Sequence, residues 1–238
     1  MEFAYDLSGA TNAVHRKYQV AATNTTVGMP FLIPAASGSG LVVATTTGAV
    51  NMVGVNIDTA GTYVTAQQTS NADTERTVSL IINPFAVYRM LMSGGATEGT
   101  ALTLYDVTTA STDGLAVTTG DDWTSPQFDE GTVWGYDGAN AKKDRKITST
   151  SSTAATVTVA FPNDTAVGDN FLRCPYTPLQ GATIQLTTLL TQADASIAVA
   201  TGAAFTPIEL ILNDIGGEGR TTSYVLAVSA DNRFTAAI

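Results

Sequence analysis

Apolar and polar residues alternate one by one over several stretches of the chain. In residues 53–58, Val53, Val55 and Ile57 are separated by Gly54, Asn56 and Asp58. Side chains of a β-strand point alternately to its two faces, so this period of two predicts a half-buried strand. The same alternation marks four further stretches, at residues 77–82, 157–161, 208–212 and 224–228. The last leads through a polar run to Phe234 and predicts a C-terminal hairpin.

Helical periodicity is scarce by comparison. Residues 84–92 contain Ala86, Arg89 and three consecutive residues that tolerate helix, Met90 to Met92, but they fit an edge strand equally well. Glycine pairs and Asp-Gly steps fall between the apolar stretches, where tight turns need a positive φ. Threonine and alanine dominate the composition, and the chain has only four lysines. These patterns predict an all-β protein, an antiparallel sandwich or barrel-like lobe or lobes with little helix.

We expect four segments along the chain. Residues 1–20 lack a sustained period and are predicted to form an extended N-terminal arm that reaches a neighbouring molecule. Residues 21–120 are predicted to form a β-rich lobe, and residues 121–147 an acidic and aromatic, then basic, loop region. Residues 148–238 then form a second β-rich lobe, either separate from the first or continuous with it.

The net charge of -10, with a pI near 4.3, disfavours binding to phosphate backbones and anionic lipids. We therefore expect neither nucleic acid nor a membrane as a partner. Residues 113–137 carry six acidic residues and no basic one, and the basic run 142–146 follows. These neighbouring segments predict a complementary contact, within the chain or between copies, unless both are simply solvated loop faces.

Residues that could carry chemistry are few. His15 is the only histidine and stands beside Arg16 and Lys17, where positive neighbours disfavour a catalytic imidazolium. Cys174 is the only cysteine, so the chain can form no internal disulfide and no cysteine-based metal cluster. The acidic residues at 121–130 lack the order of an EF-hand loop. We assign no catalytic, cofactor or metal residue and expect a protein that is not an enzyme.

Both tryptophans lie in one aromatic and acidic stretch, with Trp123, Phe128, Trp134 and Tyr136. Three interpretations remain open for these side chains: packing inside a long loop, contact with another subunit, or stacking on a carbohydrate. A carboxylate pair acting on a sugar is a fourth. Together with residues of the arm, these aromatics form the set that we expect at an interface: Phe3, Tyr5, His15, Arg16, Lys17, Trp123, Phe128, Trp134 and Tyr136.

Two Thr-, Gly- and Val-rich stretches, residues 28–57 and 164–188, carry a resemblance in style to the structural proteins of tailed bacteriophages. The chain most resembles capsid decoration, or cement, proteins. That resemblance implies a β-rich homotrimer that binds the major capsid protein on the outside of the virion. The first residues show no secretory leader, so we expect assembly in the host cytoplasm. The alternatives are a tail or baseplate component and a carbohydrate-binding fibre or adhesin domain that uses Trp123 and Trp134.

Overall fold

The computed structural model describes about two thirds of the chain in twelve ranges. They are residues 1–9, 14–19, 28–32, 43–44, 52–57, 77–83, 85–121, 123, 128–178, 183–196, 205–212 and 223–229. Of these residues, 49% lie in strands and 3% in helix, and no helix reaches seven residues. The predicted all-β class with little helix is therefore confirmed. The predicted hairpin partner at Phe234 lies outside the described residues.

Sixteen strands and one 3-10 turn, Gly138–Asn140, make up the described secondary structure. The strands are β1 Glu2–Asp6, β2 His15–Gln19, β3 Pro30–Leu32, β4 Val43–Ala44, β5 Met52–Asn56, β6 Thr77–Ile81, β7 Ala86–Ser93, β8 Leu104–Asp106, β9 Ala116–Thr118, β10 Thr132–Gly135, β11 Asp144–Thr150, β12 Ala154–Val157, β13 Asn170–Cys174, β14 Ala193–Asp194, β15 Phe205–Leu212 and β16 Ser223–Ser229. They pair into three sheets, and every pairing except that of β14 with β7 is antiparallel.

The first sheet has the order β1-β7-β16-β15, with β14 running parallel to the end of β7. Strand β7 pairs with β1 on one side and with β16 on the other. The helical interpretation of residues 84–92 is therefore wrong, and so is the edge position. The side chains of β7 explain this: Tyr88, Met90 and Met92 are buried on one face, and Val87 is buried on the other. A strand that buries residues on both faces has apolar residues at consecutive positions, which weakens the period of two.

The second sheet has the order β8-β13-β10-β11-β12-β9. Of its strands, β10 lies within residues 121–147, where the sequence analysis expects a loop region, and β11 begins there and ends at Thr150. The two faces of the sheet belong to different cores. Trp134, Leu172 and Cys174 pack with the first sheet, whereas Val133 and Phe171 face a second core that the sheet encloses.

The third sheet has the order β2-β6-β5-β3-β4. Its strand β2 and strand β1 of the first sheet both come from residues 1–20, and each lies at the edge of its sheet. The segment predicted as an arm is extended, but its described parts pair with strands of the same chain. The first sheet combines β1 and β7 from the first half of the chain with β15 and β16 from its last part.

Two details of the alternation differ from the sequence prediction. In β5, Gly54 and Asn56 are buried along with Val55, and the residue that follows the strand, Ile57, is exposed. Strand β12 ends at Val157, so Val159 stands outside it and is 62% exposed. Packing on both faces explains the first difference, and the early end of a strand explains the second.

Candidate functional site

The aromatic residues of β1 lie at the edge of the first sheet with opposite exposure. Phe3 stands opposite Tyr88 and packs partly buried against the core between the sheets. Tyr5 stands opposite Val87 after an irregularity in the register, and its side chain is exposed. Of the two, Tyr5 is the residue that the fold leaves accessible to a partner.

The three basic residues of the predicted interface, His15, Arg16 and Lys17, belong to β2. Their backbone pairs with β6, with His15 opposite Ile81 and Lys17 opposite Ser79. The positions of their side chains lie outside the described part of the structure. Their role at an interface remains a prediction.

A cluster of hydrogen bonds joins β1, the residue before β2 and the turn after β6. Asn83 donates through Nδ2 to Asp6 Oδ2 at 2.9 Å, and its Oδ1 accepts from the backbone N–H of Val14. The N–H of Leu7 donates to the carbonyl of Phe85 at 3.0 Å, which closes the same turn. The hydroxyl and N–H of Ser8 also donate to Asp6, and with Asn83 they lower its carboxyl pKa against the raising effect of burial.

Around this cluster, three apolar side chains point into solvent. Tyr5 is 41% exposed, Leu7 51% and Val14 55%. Each lies on or next to an edge strand whose backbone position is fixed by hydrogen bonds within the chain. We name these three residues the N-terminal edge surface. Exposed apolar side chains that are near one shared set of hydrogen bonds are the candidates that the described residues offer for a contact surface.

The predicted aromatic stretch is mostly interior. Trp123 and Trp134 are 0% and 2% exposed, and they lie in different cores. Phe128 is buried with Trp123, and Tyr136 is partly buried against the core that contains Trp134. Neither indole forms an exposed platform, so the hypothesis that these two tryptophans stack on a carbohydrate is wrong for this structure. Of the three interpretations, packing within the chain fits these positions.

The contact predicted between the acidic and basic segments is present within the chain. Lys146 on β11 forms an ion pair with Glu130, just before β10, while the two strands pair antiparallel. Arg145 stacks over the ring of Phe161 at 5.3 Å and donates to the carbonyl of Ala160 at 2.9 Å. These basic side chains are therefore engaged within the chain.

Sequence analysis missed one feature, a cavity of about 250 Å³ beside Arg173. It is lined by Gly94 and Ser196, which follow the ends of β7 and β14, and by Thr103, Tyr105, Phe128 and Arg173. The guanidinium of Arg173 lies 4.2 Å from the ring centre of Tyr105 and 4.1 Å from that of Phe128. It also lies 5.1 Å from a ring centre of Trp123. The sequence does not reveal that these rings surround Arg173, because Tyr105, the pair Trp123 and Phe128, and Arg173 itself lie in three stretches that are far apart along the chain.

Within the described residues, no group of three His, Cys, Asp or Glu side chains is placed to hold a metal ion. Cys174 is fully buried, and burial raises the pKa of its thiol to about 12. No described helix is long and apolar enough to cross a membrane. Comparisons with protein-family models, with curated proteins and with solved structures find no match to the chain.

Proposed function

We propose that the chain is a non-enzymatic structural protein of a bacteriophage virion. It binds the outer surface of the capsid, in the manner of decoration proteins, and stabilises the capsid through contacts repeated in many copies. The observation that carries the proposal is the N-terminal edge surface, Tyr5, Leu7 and Val14, three exposed apolar side chains on or next to edge strands. Its partners are the major capsid protein and further copies of the same chain, which by resemblance form a trimer.

The proposed binding to the capsid depends on many weak contacts whose free energies add up over symmetric copies. Burying three partly exposed apolar side chains stabilises a contact by only about 1 to 3 kcal/mol in total. A protein displayed in symmetric copies binds through several such contacts at once, so that a modest contact per copy suffices. Strand edges suit this function because the sheet fixes their side chains before binding, which limits the entropy lost on contact.

A tail or baseplate component would use the same surface, and the location on the particle distinguishes the two roles. Labelling of purified virions with an antibody against the chain places it on the capsid under our proposal and on the tail under the alternative. The carbohydrate-binding alternative required exposed indoles at Trp123 and Trp134, and both side chains are buried. We therefore retain the capsid as the proposed location in the virion, reached after assembly in the host cytoplasm.

The decisive experiment changes the N-terminal edge surface without removing its strands. The double variant Leu7→Asp, Val14→Asp is co-expressed with the major capsid protein of the same genome, and bound protein is quantified on sedimented particles. At protein levels well below saturation, we expect occupancy to fall about tenfold, which corresponds to about 1.4 kcal/mol. The matched control is Val159→Asp, Val167→Asp, which changes two valines elsewhere on the molecule that are somewhat more exposed than Leu7 and Val14. Occupancy that is equal for both double variants would refute the role of this surface, and a wild-type chain that never binds particles would refute the capsid function.

A further inference from the structure

Most strands at the ends of the three described sheets are protected against pairing with another molecule. Strands β4, β8 and β9 have only two or three residues each. Strand β1 has an irregular register between Phe3 and Tyr5, and its carboxylates, Glu2 and Asp6, already bind groups of the same chain. Short strands and irregular registers are common means of protecting a sheet edge. Two longer outer strands remain, β2 and β15.

Strand β15 is the outer strand of the first sheet, and only its first half is protected. The carbonyl of Phe205 accepts from the N–H of Ile184 at 2.8 Å, which covers the beginning of the strand. Pro207 and the irregular register that follows it protect the next part. From Glu209 to Leu212 the register with β16 is regular, and no described strand pairs with the other side. This stretch presents backbone donors and acceptors on a strand that β16 holds in place.

Strand β2 is the outer strand of the third sheet. Its five residues pair with β6 in an uninterrupted register, and within the described ranges no strand lies on its other side. Its sequence contains His15, Arg16 and Lys17 and no acidic residue. Like charges on facing strands destabilise their pairing, so these residues disfavour pairing of β2 with a second β2. The suitable partner for β2 is a strand without positive charge.

Strand β15 has the complementary character. Glu209 is its only charged residue, and the side chain is exposed. The three residues that follow, up to Leu212, are apolar and partly buried. A carboxylate on one strand and basic residues on the strand beside it stabilise a pair. Every copy of the chain carries both strands, so each edge has a matching edge on another copy.

We propose that β15 of one copy pairs, along Glu209 to Leu212, with the outer side of β2 of a second copy. The inference rests on the proposed function, because it names the surface by which further copies of the chain associate. Backbone hydrogen bonds between the strands supply affinity, and the charges select the partner strand. The two strands differ, so the contact is head-to-tail, and each copy offers β15 to one neighbour and β2 to another. A head-to-tail contact that closes forms a ring, which agrees with the proposed trimer.

The first test reverses charges in the purified full-length chain and measures mass by sedimentation velocity. Glu209→Lys, and separately Arg16→Glu with Lys17→Glu, should each raise the dissociation constant of the oligomer at least about tenfold, because like charges then face each other. Combining all three substitutions in one chain restores opposite charges and should restore the oligomer. The matched control is Asp164→Lys, which reverses an exposed carboxylate on the second sheet's side of the molecule and should leave the mass unchanged.

Mixing the two charge-reversed proteins tests the head-to-tail arrangement. The Glu209→Lys chain keeps an intact β2, and the chain with Arg16→Glu and Lys17→Glu keeps an intact β15. One intact contact is therefore available between them, and we expect a species of two chains, one of each kind, that cannot close into a ring. A mixture that contains only the species seen for each protein alone would refute the pairing of β15 with β2.

Hydrogen exchange in the wild-type chain gives a test that needs no substitution. Amide protection in β2 and at residues 210–212 should rise with protein concentration, while protection in β8 should not change. Concentration-independent protection in β2 and β15 would refute the contact even if a variant failed to fold. So would an oligomer that keeps its mass in both charge-reversed proteins.

Particle occupancy separates this inference from the proposed function. A wild-type chain that remains a monomer at its highest soluble concentration, and still occupies capsids, refutes the contact between β15 and β2 alone. An oligomer that responds to the substitutions as expected but never binds particles refutes the capsid function and supports the contact.

Discussion

The side-chain amide of Asn83 donates a hydrogen bond of 2.9 Å to the carboxylate of Asp6. The two residues are 77 positions apart, and the bond connects the end of β1 to the turn between β6 and β7. The same amide accepts from Val14 through its oxygen, so that one side chain holds the two chain segments that carry the N-terminal edge surface. Asn83 therefore adds a side-chain connection between segments that are also held by backbone hydrogen bonds.

Replacing Asn83 with Ala removes both hydrogen bonds and should loosen the backbone at Leu7 and at Val14. A buried or half-buried partner left without its hydrogen bond costs about 1 to 3 kcal/mol. We expect faster amide exchange at Leu7 and Val14, with protection in β13 unchanged, measured by hydrogen–deuterium exchange. The matched control is Gln192→Ala, which removes a side-chain amide that bonds to Gly99 instead. Equal loosening in both variants would contradict the role given to Asn83.

The depressed pKa of Asp6 predicts that the same region responds to acid. Hydrogen bonds from Ser8, and then from Asn83, favour the ionised carboxylate in the folded state. A carboxyl whose folded pKa lies below its unfolded value contributes stability above the unfolded pKa, near 3.8. That contribution is lost as the pH falls through the folded pKa.

Between pH 6 and pH 2, exchange at Leu7 should therefore accelerate, beyond its intrinsic pH dependence, only below about pH 4. Asp6→Asn should abolish this step, because the amide does not titrate. A step that persists in Asp6→Asn would assign the acid response to another group, such as Asp113, whose pKa is also lowered by Ser111 and the backbone of Leu115.

The sequence predicted the type of secondary structure better than the partners of each strand. Strands β15 and β16 follow the alternation at residues 208–212 and 224–228, and they pair with each other as neighbours in sequence. The same pattern cannot show that β1, from the first residues, pairs with β7 and so joins their sheet. Pairings between distant segments depend on which faces pack together, and a local period does not contain that information.

The candidate sites were predictable to different degrees. Tyr5 was expected at an interface and is exposed on an edge strand, whereas Trp123 and Trp134 were grouped by sequence and lie in separate cores. The cavity at Arg173, on β13, was missed because its lining includes residues that are distant in sequence. Tyr105 comes from β8, and Phe128 comes from the segment before β10. A lone arginine in a strand gives no indication of such neighbours.

The burial of Trp123 leads to a test of the second core. Its indole N–H donates to the hydroxyl of Thr119 at 2.7 Å, and both residues are buried. Thr119→Val keeps the shape of the side chain but leaves the N–H unsatisfied, so the free energy of unfolding should fall by about 1 to 3 kcal/mol. Thr119→Ser should restore most of it. Denaturation followed by tryptophan fluorescence measures both, and the exposed Thr112→Val serves as the control.

Cys174 provides the last prediction, which concerns reactivity instead of stability. Its sulfur is fully buried, lies 3.8 Å from that of Met92, and burial raises the pKa of the thiol to about 12. At pH 8 only about one thiol in ten thousand would be ionised, and the thiolate is the nucleophile. We expect no reaction with a disulfide reagent such as dithionitrobenzoate in the folded protein, and one equivalent released in denaturant. Hydrogen exchange in β13 gives the rate of global unfolding for comparison. A folded protein that reacts faster than this rate would mean that the first core opens locally around β13. The packing of Cys174 against Met92 would then not be maintained in solution.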